Sequence, residues 1–180
     1  MARIPQIAGK ADVPEAQQYV VDQVLEVFGR VRGPFSVLLH SPALAERLLP
    51  MVPFNREMTV VEAPLRLVGI LATVREKDAN YVWAAQVRSA RENGVSEATI
   101  DVLRAKGDVS ALPQEQRDVA VYARQLVRTN RVDQSVFDTL LKRHGTKWLV
   151  ELTAIMSFYG ALSGVVNAFE VPAPDDGDRF

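Results

Sequence analysis

The chain has 180 residues, 48% of them apolar and 24% charged, with 21 basic and 22 acidic side chains and a formal charge of −1. That is the composition of one globular domain, residues 1–180, with a sizeable core, and its near-neutral balance argues against the broad basic face that nucleic-acid binding needs. Cysteine is absent, which excludes disulfides, thiolate metal sites and thiol redox chemistry.

The first residues, Met1–Ala11, read as an irregular arm without the apolar core of a signal peptide. Asp12, with Pro14 and Glu15 behind it, predicts a helix start, and Val20, Val21, Val24, Leu25 and Phe28 follow at helical spacing up to Gly29. Gly33-Pro34 breaks the chain. Phe35–His40 is a short apolar turn or two, and Ser41-Pro42 restarts a helix whose face is Leu44, Leu48, Leu49 and Val52. Val61–Arg75 is apolar around most of its circumference and is expected to be central. After the polar break Lys77–Asn80, the helix Tyr81–Glu92 closes on Asn93-Gly94, and Ser96 caps Glu97–Arg104.

Three more helices follow: Gln114–Arg128 after Pro113, Gln134–Arg143 behind Asp133, and the longest, Lys147–Phe169, behind Gly145-Thr146. Its charge-free part, Leu152–Val166, has 15 residues, short of the roughly 20 that a membrane span requires. It reads as a core helix of a cytoplasmic protein. Residues 171–180 carry three prolines or alanines and three aspartates before the C-terminal aromatic, and are expected to be a mobile acidic tail. No stretch alternates like a strand. The expected fold is all-α, with eight to nine helices in one domain.

From Leu65 to Gly94 the sequence resembles the carboxymuconolactone decarboxylase family, which shares its fold with alkylhydroperoxidase D-like proteins. The matching pieces are Leu65-Arg66, Ile70-Leu71, Asn80-Tyr81, Trp83-Ala84 and Gly94-Val95-Ser96. Supporting pieces are Arg32-Gly33-Pro34, Leu39-His40-Ser41-Pro42 and Asn167–Pro172. The resemblance implies an alkylhydroperoxidase D-like helical bundle, assembly into a homo-oligomer (trimer, hexamer or dimer), and a small organic acid or lactone as ligand of a lyase.

The family's Glu after the Leu-Arg pair is here Leu67, and its Tyr-Glu-Trp-x-x-His motif reads Tyr81-Val82-Trp83-Ala84-Ala85-Gln86. In the peroxidase branch, a Cys-x-x-Cys-x-x-x-His run covers the positions held here by Ala79, Val82 and Gln86. The framework is therefore kept while the acid, base and thiol groups are replaced. Leu and Val cannot move protons, and an amide does not titrate near neutral pH.

His40, Tyr81 and Gln86 remain as candidate catalytic residues, and Arg66, Leu67, Val82 and Trp83 as candidate binding residues. His40 could replace the missing imidazole. The plainer reading of His40 is a partly buried or capping side chain, and that of Gln86 an amide satisfied by backbone or by a neighbouring helix. Tyr81 and Trp83 fall about 200° apart on one helix, so one of them is core. Arg32, Arg56 and Arg66 are candidate anion clamps. His144 reads as a helix-end cation, and two distant His residues make no metal site; no cofactor is expected. Asp133–Leu152 superficially suggests a helix-turn-helix, but its second helix is apolar, with Lys147 its one basic residue. Two functional classes stay open: a lactone- or acid-directed lyase with altered residues, and a non-catalytic oligomeric binding or assembly protein.

Overall fold

The computed structural model describes residues 2–175 and 177–180. Met1, in the expected arm, and Asp176, in the expected tail, lie outside the described residues. The described residues are all-helical, without strands. The helices in chain order are α1 (Gln18–Phe28), α2 (Pro34–Leu38), α3 (Pro42–Leu48), α4 (Met51–Pro53), α5 (Ala63–Glu76), α6 (Asn80–Glu92), α7 (Glu97–Arg104), α8 (Gln114–Thr129), α9 (Gln134–His144) and α10 (Thr146–Ala168). Every helix expected from the spacing of apolar residues is present. The expected third helix divides into α3 and α4 around Pro50, and a π-helical turn, Phe54–Met58, follows.

α5 is the axis of the body. Leu65 to Val74 are all buried, as a helix without a polar face requires, and α6, α7, α8 and α10 surround it. Packing is tight at Gly69, where a Cβ would come within 3.2 Å of Met156 Sδ and 3.3 Å of Val119. α10 is long and apolar enough by composition to cross a membrane, yet half of its most apolar window is buried in the body. One face therefore forms core through Leu152, Ile155, Met156 and Tyr159.

Local starts and stops follow side-chain chemistry only in part. Ser96 caps α7 by accepting from Thr99 N at 3.2 Å, and Gly29 ends α1 in the left-handed region (φ 70°). Asp12 does not open α1. Its carboxylate instead accepts from the Ala8 and Gly9 amides at 2.8 and 3.2 Å, which closes a 3₁₀ turn, and α1 begins later at Gln18.

The N-terminal arm is irregular over residues 2–9, as expected, while the tail departs from expectation. The arm is anchored: Ile7 is buried, its amide donates to Ser36 O at 2.8 Å, and Arg3 N donates to Phe169 O at 2.9 Å. The acidic tail, expected to be mobile, is packed on α6 and α7. Asp178 accepts from Trp83 Nε1 at 3.2 Å, Arg91 Nη2 at 2.8 Å and Arg104 Nη2 at 2.9 Å. The Phe180 ring stands edge-on to Trp83 with centroids 5.7 Å apart, under the Arg75 guanidinium at 3.9 Å. Tail composition alone suggested disorder, but one carboxylate meeting two arginines and one aromatic meeting another offset the ordering cost.

Burial alone would raise the Asp178 carboxyl, but hydrogen bonds from Arg91, Trp83 and Arg104 outweigh it and hold the group below its ordinary value. A depressed folded-state value stabilises above the unfolded value, about 3.9, and that stabilisation is lost as pH falls through the lower folded value. Asp178→Ala is expected to cost about 1.5–3 kcal/mol at neutral pH and to shift Trp83 emission to the red. Denaturant titrations read by fluorescence should show the difference from wild type disappearing in strong acid; a difference that persists there would contradict the assignment.

Candidate functional site

A cavity of about 310 Å³ opens beside the N-terminal half of α5. Phe28, Pro34, Phe35, Val52, Leu67, Ile70 and Val82 give it an apolar lining. Phe28 and Phe35 pack at 5.3 Å between ring centroids. The polar groups converge from four elements: Asn55 and Arg56 on the π turn, Arg66 on α5, Tyr81, Gln86 and Arg88 on α6, and Tyr159 on α10, with Arg32 at the rim.

Each side chain is placed by a local cause. Arg66, buried at the start of α5, donates to Val61 O at 3.1 Å and Arg56 O at 3.4 Å. Burial pulls its guanidinium below its usual value, against the nearby Tyr159, but an arginine stays charged at neutral pH. Arg56 lies 5.2 Å above the Phe28 ring. Tyr81 is buried because Gly33 makes room for it. Gly33 sits at φ 60°, and a Cβ there would overlap the tyrosine ring.

Burial raises the Tyr81 hydroxyl above its usual value, with Arg32 and Arg30 opposing. Tyr159 is raised by burial as well, and Arg56, Arg66 and Gln86, which its hydroxyl faces, pull the other way. Both phenols therefore stay protonated near neutral pH. They can donate hydrogen bonds but do not act as bases.

The structure brings Arg66, Leu67, Tyr81, Val82 and Gln86 to this one cavity, and the clamp candidates Arg32 and Arg56 border it too. It does not bring His40 or Trp83 there. His40 is exposed at the end of α2, with Nε2 2.8 Å from Pro5 O, so the imidazole meets the N-terminal arm and not the cavity. Trp83 is fully buried on another face of α6 and meets the tail. His144 stacks on Trp148 at 3.9 Å, a structural contact. Sequence reasoning missed Asn55, Tyr159 and Arg88. A tyrosine in the charge-free stretch of α10 was the available signal for Tyr159; Asn55, in an irregular turn, gave none. Among the described residues no group of three His, Asp or Glu side chains could hold a metal ion.

The fold is that of alkylhydroperoxidase D-like proteins. A peroxidase-related protein from Ralstonia eutropha JMP134, with an alkylhydroperoxidase AhpD core, superposes with a TM-score of 0.76 at 19% identity, over 97% of this chain and 93% of that one. The debrominase Bmp8, as an alanine-for-cysteine variant in complex with 2,3,4-tribromopyrrole, gives 0.76 at 14% identity, over 97% and 94%. An Agrobacterium tumefaciens protein of unknown function, described as a putative antioxidant defence protein AhpD, gives 0.68 at 12% identity, over 81% and 100%. Identities this low show the fold and no more. No protein-family model matches the sequence, and no curated protein matches it either.

Gly33→Ala should expel the Tyr81 ring from its seat, since it adds a Cβ where the ring lies and forces a left-handed backbone on alanine. The expected loss is about 1–3 kcal/mol, read by thermal or chemical unfolding, with a matching rise in Tyr81 exposure. An unchanged melting curve would remove Gly33 as the residue that positions Tyr81.

Proposed function

We propose that this chain binds a small organic acid, as the free carboxylate or as a lactone acid, in the cavity around Gln86, and that it does so without thiol peroxidase chemistry. One observation carries the reading. Four arginines, Arg32, Arg56, Arg66 and Arg88, border a cavity whose walls are otherwise largely apolar and aromatic, against a single carboxylate, Glu92. Glu92 is already paired with Arg88 at 2.9 Å. A pocket with apolar walls and excess guanidinium suits a compact anion. The complex of Bmp8 with 2,3,4-tribromopyrrole supports a small cyclic ligand of that size.

Binding is favoured over lyase chemistry because the one carboxylate of the lining, Glu92, is exposed and paired with Arg88, and no other lining side chain is a base. Leu67 and Val82 are apolar, Gln86 does not titrate, and Tyr81 and Tyr159 are held protonated. Titration calorimetry with small carboxylates should detect binding that weakens with added salt. Arg66→Gln should reduce it roughly tenfold or more, since a hydrogen bond to a charged group is lost. Undiminished affinity in that variant would contradict the reading. In the same preparation carboxymuconolactone should not be consumed, and turnover lost in Tyr81→Phe would restore the lyase alternative.

The chain is also proposed to form a homo-oligomer. Beyond the exposed Lys147 in its first turn, the outward positions of α10 from Val150 to Gly164 are Val150, Ala154, Ser157, Ala161 and Gly164, all exposed and uncharged. Val150 is 61% exposed, and Met58 at 69% and Val60 at 43% are exposed as well. The amide of Val60 donates to Glu151 at 2.8 Å, which ties the segment after the π turn to α10. An uncharged surface of this kind is unusual on a monomer. Sedimentation should show a species well above the 19.9 kDa chain, and Val150→Glu should dissociate it. A monomer at micromolar concentration would overturn this.

A further inference from the structure

Asn55 borders the cavity and is 1% exposed, yet neither Nδ2 nor Oδ1 has a hydrogen-bond partner. Among the described residues it is the one buried side chain bordering the cavity whose donor and acceptor are both unmatched. Buried amides normally bond on both sides, and leaving one unmatched is costly. The residue is carried on the π turn Phe54–Met58, closed by Thr59 N donating to Phe54 O at 3.1 Å. Single π turns are frequent at functional sites. Arg66 donates to the carbonyl of Arg56, the next residue along, so the buried cation and the unmatched amide belong to the same wall.

The two unmatched groups constrain the ligand more than the arginines do. A carboxylate or lactone presents only acceptors. It can take the Asn55 Nδ2 proton but leaves Oδ1 facing lone pairs. The cis-amide edge of a ring presents an N–H and a C=O side by side in one plane, and so matches a carboxamide at two points.

We propose that the cavity selects a cyclic amide bearing an acid group, a lactam or cyclic imide carboxylate. On binding, the Asn55 carboxamide turns its edge to the ring amide, and the carboxylate lies toward Arg66. This rests on the anion-binding reading above and narrows its ligand class. No bond is made or broken in the step.

Two probes differing by one group test it: 5-oxoproline, a lactam acid, and its lactone counterpart, 5-oxotetrahydrofuran-2-carboxylate, in which the ring N–H is an oxygen. Calorimetry on the wild-type chain should show the lactam binding about tenfold tighter or more. Asn55→Leu should bring the two affinities together while keeping carboxylate binding. Asn55→Thr, with one hydroxyl in place of a two-point edge, should do the same if the leucine variant does not fold. Equal affinities in the wild type would overturn the lactam assignment and leave the anion pocket standing. Binding of neither probe would overturn both. A lactam preference that survives in a folded Asn55 variant would show that another group reads the ring.

Discussion

The structure depends on the burial of α5. Ten successive residues, Leu65 to Val74, are inside, so the helix must be enclosed on all sides. Burying one leucine-sized side chain contributes about 1.5–3 kcal/mol, and a row of them makes α5 the organiser of its neighbours. α8 crosses it closely at Gly69, and α6 and α10 close the remaining sides. The single charged residue in this row, Arg66, sits at the N-terminal end, where two backbone carbonyls accept its protons. A buried cation without such partners would be costly. The cavity lies where this end of α5 is not filled by its neighbours.

The replaced residues give that gap its character. Acidic and imidazole groups at positions 67, 82 and 86 would make a proton-transfer site. Leucine, valine and glutamine make a wall with one fixed amide instead. What remains is electrostatic: guanidinium groups at the rim and floor, two protonated phenols, and apolar walls that exclude water and strengthen whatever polar contacts form. Such a site can discriminate by shape and hydrogen-bond pattern, while its one carboxylate, Glu92, is held by Arg88.

Much of this was legible in the sequence, for specific reasons. The period of apolar residues located α5, α6, α8 and α10, because burial on one or all faces writes itself into spacing. Leu67 and Gln86 were paired by their spacing within the resemblance, and they do meet at one cavity. His40 was misplaced because a short helix between two breaks leaves its exit direction unspecified, and here the N-terminal arm takes the imidazole. Asn55 was invisible because a π turn has no periodicity of its own. The tail was read from composition, which counts its aspartates but not the arginines, Arg91 and Arg104, that three-dimensional packing sets opposite Asp178.

α6 links these features. One face, with Tyr81, Val82 and Gln86, lines the cavity. Another, with Trp83, Val87 and Ala90, is buried, and Trp83 carries the tail through Asp178 and Phe180. The tail backbone approaches closely: a Cβ on Gly177 would stand 2.9 Å from Ala84 Cβ. Between tail and cavity runs an open groove bordered by Arg30, Arg32, Arg88 and Arg91, so the rim arginines of the cavity and the tail-bound Arg91 share one surface. Asp178 neutralises the far end of that surface, at Arg91 and Arg104. The uncompensated positive charge is thereby concentrated at the near end, beside Arg32 and the mouth of the cavity. On the proposed reading, a small anion entering the cavity passes these guanidinium groups.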